Sequence, residues 1–244
     1  MELWGITNVG KVRRQNQDVF KVLFDKERDL AVLVVCDGMG GASAGNVAST
    51  LAADAFMHQM GKYLEGIGDI SDVAVKMADS VLAANRAVYL KSIENEEFSG
   101  MGTTLTAAIS TPDGEVVVNI GDSRLYHVTP QNITQITKDH SVVEDMIARG
   151  DLTRAEARRH PNKNLITKAL GTSIEETPDV FFLGLKKGEK LLLCSDGLSN
   201  VVLDSEILFA LQQESGVREC CERLVDLALS RGAPDNVTAV ILKK

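Results

Sequence analysis

Four aspartates stand where strand-like apolar runs begin or end. Asp37, Asp122 and Asp196 each close such a run, and Asp235 stands just before another. The ends and starts of neighbouring antiparallel strands share one edge of a sheet, so the four carboxylates are expected to lie together. Close carboxylates repel one another and need a counter-charge, and hard divalent cations take oxygen ligands. The pattern predicts a metal-ion cluster, a kind of site suited to phosphoryl hydrolysis.

Each aspartate on its own has a simpler explanation, because Asp-Gly is a common turn dipeptide and turns follow strands. Arg13 is likewise an ordinary surface cation when taken alone. Its planar guanidinium can grip a phosphate through two hydrogen bonds. Beside a carboxylate cluster, Arg13 becomes a candidate phosphate ligand.

The elements that must position these residues mix strands and helices. The run 31–36 is continuously apolar and predicts a buried strand, and 103–128 predicts an antiparallel meander turning at 111–114. Helical spacing is found at 45–63 and 71–89, the second capped by Ser71. Further strands are predicted at 19–24, 190–195 and 237–242, and further helices at 204–213 and 217–231. Ser141 and Thr153 are each expected to begin a short helix with a capping box. Strands and paired helices in this order indicate an antiparallel α+β protein.

Composition narrows the function classes. Among 244 residues, 34 Asp and Glu exceed 26 Lys and Arg, giving a net charge of −8, which argues against nucleic-acid binding. The hydrophobic content of 44% is enough for a core. No signal peptide or membrane-spanning run is visible, so we expect a single cytoplasmic domain over 1–244 that acts as a monomer without membrane insertion. The four cysteines lack zinc-ligand spacing and are expected to be buried thiols.

Seven short motifs occur in order along nearly the whole chain. They are Arg13-x-x-Asn16-Gln17-Asp18, Asp37-Gly38-Met39-Gly40-Gly41, Gly102-Thr103-Thr104, Gly121-Asp122-Ser123-Arg124, Asp139-His140-Ser141, Ser195-Asp196-Gly197-Leu198 and Asp235-Asn236-Val237-Thr238. Together they resemble the metal-dependent protein phosphatases (type 2C Ser/Thr phosphatases), in their compact bacterial form. The resemblance implies a four-layer α/β/β/α sandwich with two central antiparallel sheets flanked by helix pairs.

The resemblance also implies a site holding two or three Mn²⁺ or Mg²⁺ ions. The resemblance implies that Asp37 bridges two ions and that the Gly38 carbonyl, Asp196 and Asp235 are further ligands. It implies that Asp122 with Asp196 holds a third ion and that Asp18 acts through metal-bound waters. It also implies that Asn236 supports Asp235 and that Arg13 binds the substrate phosphate. A flap is implied at about 141–170. The implied activity is hydrolysis of phosphoserine and phosphothreonine by an activated water, without a phosphoenzyme. The implied partners are phosphorylated proteins, including a bacterial Ser/Thr kinase and its substrates.

Two positions depart from the family pattern. Gln17 stands where the family often has Glu, and a neutral amide is a weaker partner for the water shell of a metal ion. Met39 stands where several relatives have a His that is a proposed general acid, and a thioether cannot donate a proton. His140 is a candidate replacement donor, with a hydrogen-bonded structural histidine as the alternative.

The sequence allows three other interpretations of its function. Strand 31–36 followed by Gly38-Met39-Gly40 imitates a dinucleotide-binding turn, but Ser43 stands at the third glycine position. An aspartyl-nucleophile phosphatase would want a second aspartate at the position of Met39. A catalytically weak phosphoprotein-binding domain of the same fold is the third, and the presence of Asp37, Asp196 and Asp235 favours activity over it.

Overall fold

Two antiparallel sheets form the centre of the protein in the computed structural model, which describes residues 1–41, 44–214 and 216–244. Ser43, used above against a dinucleotide-binding turn, lies outside these ranges. Sheet I has the strand order β1-β11-β10-β7-β8, and sheet II has the order β2-β3-β5-β6-β9 with β4 paired to β3. The strands are β1 (Glu2–Asn8), β2 (Asp18–Asp25), β3 (Leu30–Met39), β4 (Gly102–Thr103), β5 (Leu105–Thr111), β6 (Gly114–Ile120), β7 (Arg124–Val128), β8 (Ile133–Gln135), β9 (Asp179–Leu183), β10 (Lys190–Cys194) and β11 (Val237–Lys243).

Helices cover the outer face of each sheet. They are α1 (Ala44–Tyr63), α2 (Ile70–Ser92), α3 (Val142–Arg149), α4 (Arg154–Ala157), α5 (Asp196–Ser199), α6 (Asp204–Gln213) and α7 (Val217–Ser230), with short 3₁₀ turns at Leu64–Gly66 and Glu96–Phe98. The pair α1 and α2 shares one apolar core with sheet II, and α6 and α7 share another with sheet I. A third core fills the space between the two sheets. The implied four-layer α/β/β/α sandwich is confirmed.

Local sequence signals explain most element boundaries. Strand β3 is buried on both faces, which matches its unbroken apolar run 30–36. Helix α2 was expected to be capped by Ser71. Instead the Asp69 carboxylate accepts hydrogen bonds from the backbone N–H groups of Ser71 and Asp72, so the N-cap lies two residues earlier than expected and the helix begins at Ile70. Ser141 and Thr153 both cap their helices as expected, but the reciprocal capping box is found at Thr153, while the Glu144 carboxylate contacts Arg154.

The cysteines and the lengths of the helices can also be compared with the sequence. All four cysteines are free and buried, as predicted. Within the described ranges, no helix has the length and apolar character needed to cross a membrane.

Candidate active site

The predicted carboxylates come together at one end of the sandwich. In the antiparallel pair β2 and β3, Asp18 lies directly opposite Asp37. On sheet I, Asp196 follows β10 and Asp235 precedes β11, its antiparallel neighbour. A cavity of about 780 Å³ opens at this end, and Asp37, Asp122, Asp196 and Asp235 all line it. Gly38, Arg13, Gln17, Met39 and Asn236 line the same cavity.

Asp18 is buried behind the cavity and connects the two sheets. Although it belongs to sheet II, its Oδ2 accepts hydrogen bonds from Ser195 Oγ at 2.6 Å and from Thr238 Oγ1 at 2.7 Å, both in the sheet I half. The Ser195 hydroxyl also accepts the backbone N–H of Thr238 at 3.0 Å. The other carboxylate oxygen of Asp18, Oδ1, is buried and has no hydrogen-bond partner in the structure.

Burial and mutual repulsion shift the carboxylates of this cluster toward their protonated forms. Burial, followed by repulsion from Asp18 and Asp196, raises the pKa of Asp37 well above its usual range. Burial and the Asp235 carboxylate raise the pKa of Asp196 to about 6. Burial raises the pKa of Asp18 to about 7, even though the hydroxyls of Ser195 and Thr238 stabilise its charge. Such shifts mark a cluster with more negative charge than the surrounding chain neutralises.

Asp122 sits at the side of the cavity away from Arg13. Burial raises its pKa well above the usual range, with a further contribution from Asp196. The nearby Arg124 is paired with Asp139. Its guanidinium makes a bidentate contact, from Nε to Oδ1 at 3.0 Å and from Nη2 to Oδ2 at 2.6 Å. Arg124 therefore supplies little of the counter-charge that Asp122 needs.

Arg13 lies at the cavity mouth in contact with Asp235. Its Nη2 donates to Asp235 Oδ2 at 2.7 Å, and its side chain is 53% exposed. The other donors of its guanidinium are thus available to a ligand in the cavity.

Asn236 positions the loop that carries Arg13. Its side-chain amide donates to the backbone carbonyls of Val9 and Gln15, and its Oδ1 accepts the backbone N–H of Gln17 at 2.8 Å. Its own backbone N–H donates to Asp235 Oδ1 at 2.9 Å. The residue therefore contacts Asp235 through its backbone, and its side chain fixes the loop of Arg13.

The turn after Asp37 demands glycine. A Cβ on Gly38 would lie 2.0 Å from the carbonyl oxygen of Gly45, so no larger residue fits without moving the chain. Gln17 packs against the same turn and donates its amide to the Gly41 carbonyl at 3.0 Å. Met39 lines the cavity and packs its terminal methyl toward Gly102. In this arrangement the amide of Gln17 orders the glycine turn.

His140 has both ring nitrogens engaged. Nδ1 accepts the backbone N–H of Gly121 at 3.1 Å, and Nε2 faces Asp179 Oδ2 at 3.3 Å. Burial lowers the pKa of His140, and the Asp179 carboxylate only partly opposes this. The ring is not among the described residues that line the cavity. These contacts favour the structural alternative over the proton-donor role, because an Nδ1 that accepts a hydrogen bond carries no proton.

The predicted flap is tied down at its base. Ser141 pairs with Ile166 and Thr103 with Leu170 through isolated β-bridges. The basic, polar composition of 149–168 predicts a segment surrounded by solvent, and the structure corrects this in part because Ala157 is buried. Asn164 and Ile166, for which no role was predicted, line the cavity from the flap.

Three hydroxyl residues were missed as contributors to the site. Ser195 and Thr238 hold Asp18, and the Thr104 hydroxyl accepts the backbone N–H of Asp37 at 2.9 Å. Each stands inside one of the seven motifs and is buried despite being polar. A buried hydroxyl beside a candidate ligand is the signal that could have found them.

The donor set fits hard divalent cations. The cavity presents four carboxylates against two guanidiniums, those of Arg13 and Arg14. Buried oxygens of Asp18 and Asp196 have no hydrogen-bond partner among the described residues. Oxygen donors with uncompensated negative charge are what Mg²⁺ and Mn²⁺ prefer. Among the residues that the structure describes, no three Asp, Glu, His or Cys side chains form a group that could hold an ion by themselves. An ion here would therefore also take ligands from the backbone, such as the Gly38 carbonyl, and from water.

Comparison with known proteins agrees with the fold. The protein phosphatase 2C family matches residues 11–235. The serine/threonine phosphatase stp of Listeria monocytogenes is 32% identical over 238 residues, covering 98% of this chain and 94% of that protein.

Two solved structures are similar throughout. The serine/threonine phosphatase Stp1 from Staphylococcus aureus superposes with a TM-score of 0.91 at 34% identity, covering 100% of this chain and 94% of the other. The catalytic domain of the serine/threonine protein phosphatase PstP, in complex with two manganese ions, gives a TM-score of 0.85 at 37% identity over 98% and 96% of the two chains. The chain belongs to the protein phosphatase 2C family.

Proposed function

We propose that this protein is a metal-dependent protein phosphatase that hydrolyses phosphoserine and phosphothreonine. The observation that carries the proposal is the convergence of Asp37, Asp122, Asp196 and Asp235 on one cavity with Arg13 at its mouth. The family membership and the similar proteins named as Ser/Thr phosphatases support the same activity.

The carboxylate cluster is proposed as the seat of Mn²⁺ or Mg²⁺. Asp37, the Gly38 carbonyl, Asp196 and Asp235 would hold two ions, and Asp122 with Asp196 would hold a third. When bound, such ions lower the pKa of a water molecule and neutralise charge on a phosphoryl group. The two manganese ions of the similar PstP structure support this assignment.

The chain's own residues supply orientation. Arg13 binds the phosphate of the substrate, since its fork matches two phosphoryl oxygens. Asp18 is held by Ser195 and Thr238, and its buried remaining oxygen would orient the water shell of bound ions. Asn236 fixes the loop that carries Arg13. Because Met39 cannot donate a proton, the leaving alkoxide takes its proton from solvent.

The proposed partners are phosphorylated proteins, with a Ser/Thr kinase and its substrates as the class to test. Nucleic acid is not proposed as a partner, because the net charge of −8 gives the protein no basic surface for a phosphate backbone.

Phosphate release from a phosphothreonine peptide tests the activity. We expect release with Mn²⁺ and none with excess EDTA or in Asp196→Asn. The matched control is Asp113→Asn, an exposed aspartate in the turn between β5 and β6, which should keep full activity. A folded protein that binds Mn²⁺ and releases no phosphate would contradict the proposal.

A further inference from the structure

A second concave surface lies between α6 and α7, outside the sheet I core. This groove has a volume of about 710 Å³. It shares no lining residue with the active-site cavity. Its function is therefore separate from the binding of the reacting phosphate.

The floor of the groove is apolar and centred on Phe209. Helix α6 turns Ile207, Ala210 and Leu211 toward the core. Phe209 faces away from them and is 57% exposed, beside the half-buried Leu227 of α7. An exposed aromatic ring in a concave setting is the type of residue that anchors protein interfaces. Among the described residues, the apolar core beneath α6 does not include Phe209, so packing of the core does not account for an aromatic ring at this position.

The rim of the groove is acidic. Five carboxylates line it against two guanidiniums, an excess of three negative charges; they are Glu206, Glu214, Glu219, Glu222 and Asp226, with Arg223 and Arg231. Arg231 pairs with Glu206, and Arg223 lies 3.7 Å from Glu214. Glu222 is held by Arg218 from outside the groove.

Two rim carboxylates remain free for a ligand. In the described part of the chain, Glu219 and Asp226 form no ion pair, and both belong to α7. Their charge is available to a cation that approaches from solvent.

We propose that this groove binds a segment of a partner protein in which lysines or arginines flank an apolar or aromatic anchor. The anchor would pack on Phe209 and Leu227, and the basic side chains would pair with Glu219 and Asp226. The acidic rim excludes nucleic acids and anionic lipid surfaces, because both present phosphates. Helix α6 has 10 residues, so the groove is about 15 Å long and suits one short segment.

Fluorescence anisotropy with a labelled synthetic peptide tests the proposal. The probe has about twelve residues, with lysine and leucine at helical spacing and one tryptophan. A matched peptide has glutamate in place of each lysine. The lysine peptide is expected to bind saturably in the micromolar range and more weakly as salt is raised, and the glutamate peptide is expected not to bind.

Two groove variants and two matched controls locate the binding site. Phe209→Ser and the double variant Glu219→Lys with Asp226→Lys should each weaken binding at least about tenfold. Leu90→Ser changes a residue of α2 that is 56% exposed, and Glu65→Lys with Glu97→Lys reverses exposed charges elsewhere. Both controls should leave the Kd within about twofold. Hydrolysis of p-nitrophenyl phosphate should be unchanged in all four.

Three results would overturn the proposal. They are the absence of saturable binding, equal binding of the glutamate peptide, and an equal loss in the groove variants and the controls. The last would show attraction to the overall charge of −8 without a defined site.

Discussion

The two ends of the sandwich both bury carboxylates but neutralise them differently. At the end opposite the site, Glu115 is fully buried and its carboxylate is met by three donors from the chain. Lys244 Nζ lies at 2.7 Å, the Ser110 hydroxyl at 2.8 Å and the backbone N–H of Leu185 at 2.8 Å. At the site end, Asp18 and Asp196 each leave a buried oxygen without a hydrogen-bond partner in the part of the chain that the structure describes.

The difference shows what distinguishes a scaffold charge from a functional one. A buried carboxylate whose charge is met by the chain holds the fold together. A cluster that keeps unsatisfied oxygens and raised pKa values has free energy to gain from a cation supplied from outside. Burial alone does not separate the two ends, whereas the balance of donors does.

Asp37→Asn acts on the site end and carries the largest expected effect. Phosphate release from a phosphothreonine peptide should fall about 10³-fold, because the variant loses a carboxylate that would hold the proposed metal ions. In EDTA the melting temperature should rise, since one member of a repelling cluster becomes neutral. Asp113→Asn should change neither. Turnover at the wild-type level in Asp37→Asn would refute the assigned site.

Lys244→Met tests the opposite end. It leaves Glu115 buried without its cation, which should lower the free energy of unfolding by about 3 kcal/mol in urea denaturation. The kcat measured below the melting temperature should be unchanged. Lys26→Met, in an exposed turn, is the matched control. Equal stability of the two variants would mean that Glu115 does not depend on Lys244.

The pH dependence of stability sharpens the contrast. Without metal, the pKa of Asp196 in the folded protein is raised to about 6 and that of Asp18 to about 7. The pKa of an aspartate in the unfolded chain is about 3.9. The folded state therefore binds more protons between about pH 4 and about pH 7, and the free energy of unfolding should fall as pH rises through this interval.

Thermal unfolding at a series of pH values measures this fall. Excess Mn²⁺ should reduce it, because the ion replaces protons on the cluster. Lys244→Met should retain it, since the change lies at the other end. Identical pH profiles with and without Mn²⁺ would count against the cluster as an ion site.

Arg13→Ala has the smallest expected effect. Losing the charged donor should raise the KM for a phosphothreonine peptide about tenfold, with a smaller loss in kcat. Steady-state kinetics measures both constants, and Arg28→Ala, away from the cavity, is the control. An unchanged KM would remove the phosphate-binding role from Arg13.

Local patterns in the sequence predicted the parts of the site that lie along single strands. Asp37, Asp196 and Asp235 were found because each adjoins a buried strand, and the caps at Ser141 and Thr153 follow from residues three positions apart. The support of Asp18 could not be predicted this way. Thr238 is 220 residues away along the chain, and the partner sheet becomes a neighbour only after folding.

The contact between Lys244 and Glu115 at the opposite end was not predicted either, because it also joins distant parts of the chain. Lys244 and Glu115 are separated by 129 residues, and neither belongs to a motif. Strand β9 was also not predicted, because it is a five-residue edge strand whose exposed residues include Phe182. Long-range pairing gives such segments their structure, so composition and periodicity carry little signal for them.

The double attachment of Asp18 makes catalysis conditional on the assembly of the whole domain. Its backbone belongs to one sheet, and the two hydroxyls that hold its carboxylate belong to the other half. If the sheets separate or slide, the orientation of this carboxylate is lost. A damaged or partly unfolded copy of the protein therefore loses its phosphatase activity, and its phosphorylated targets keep their phosphate.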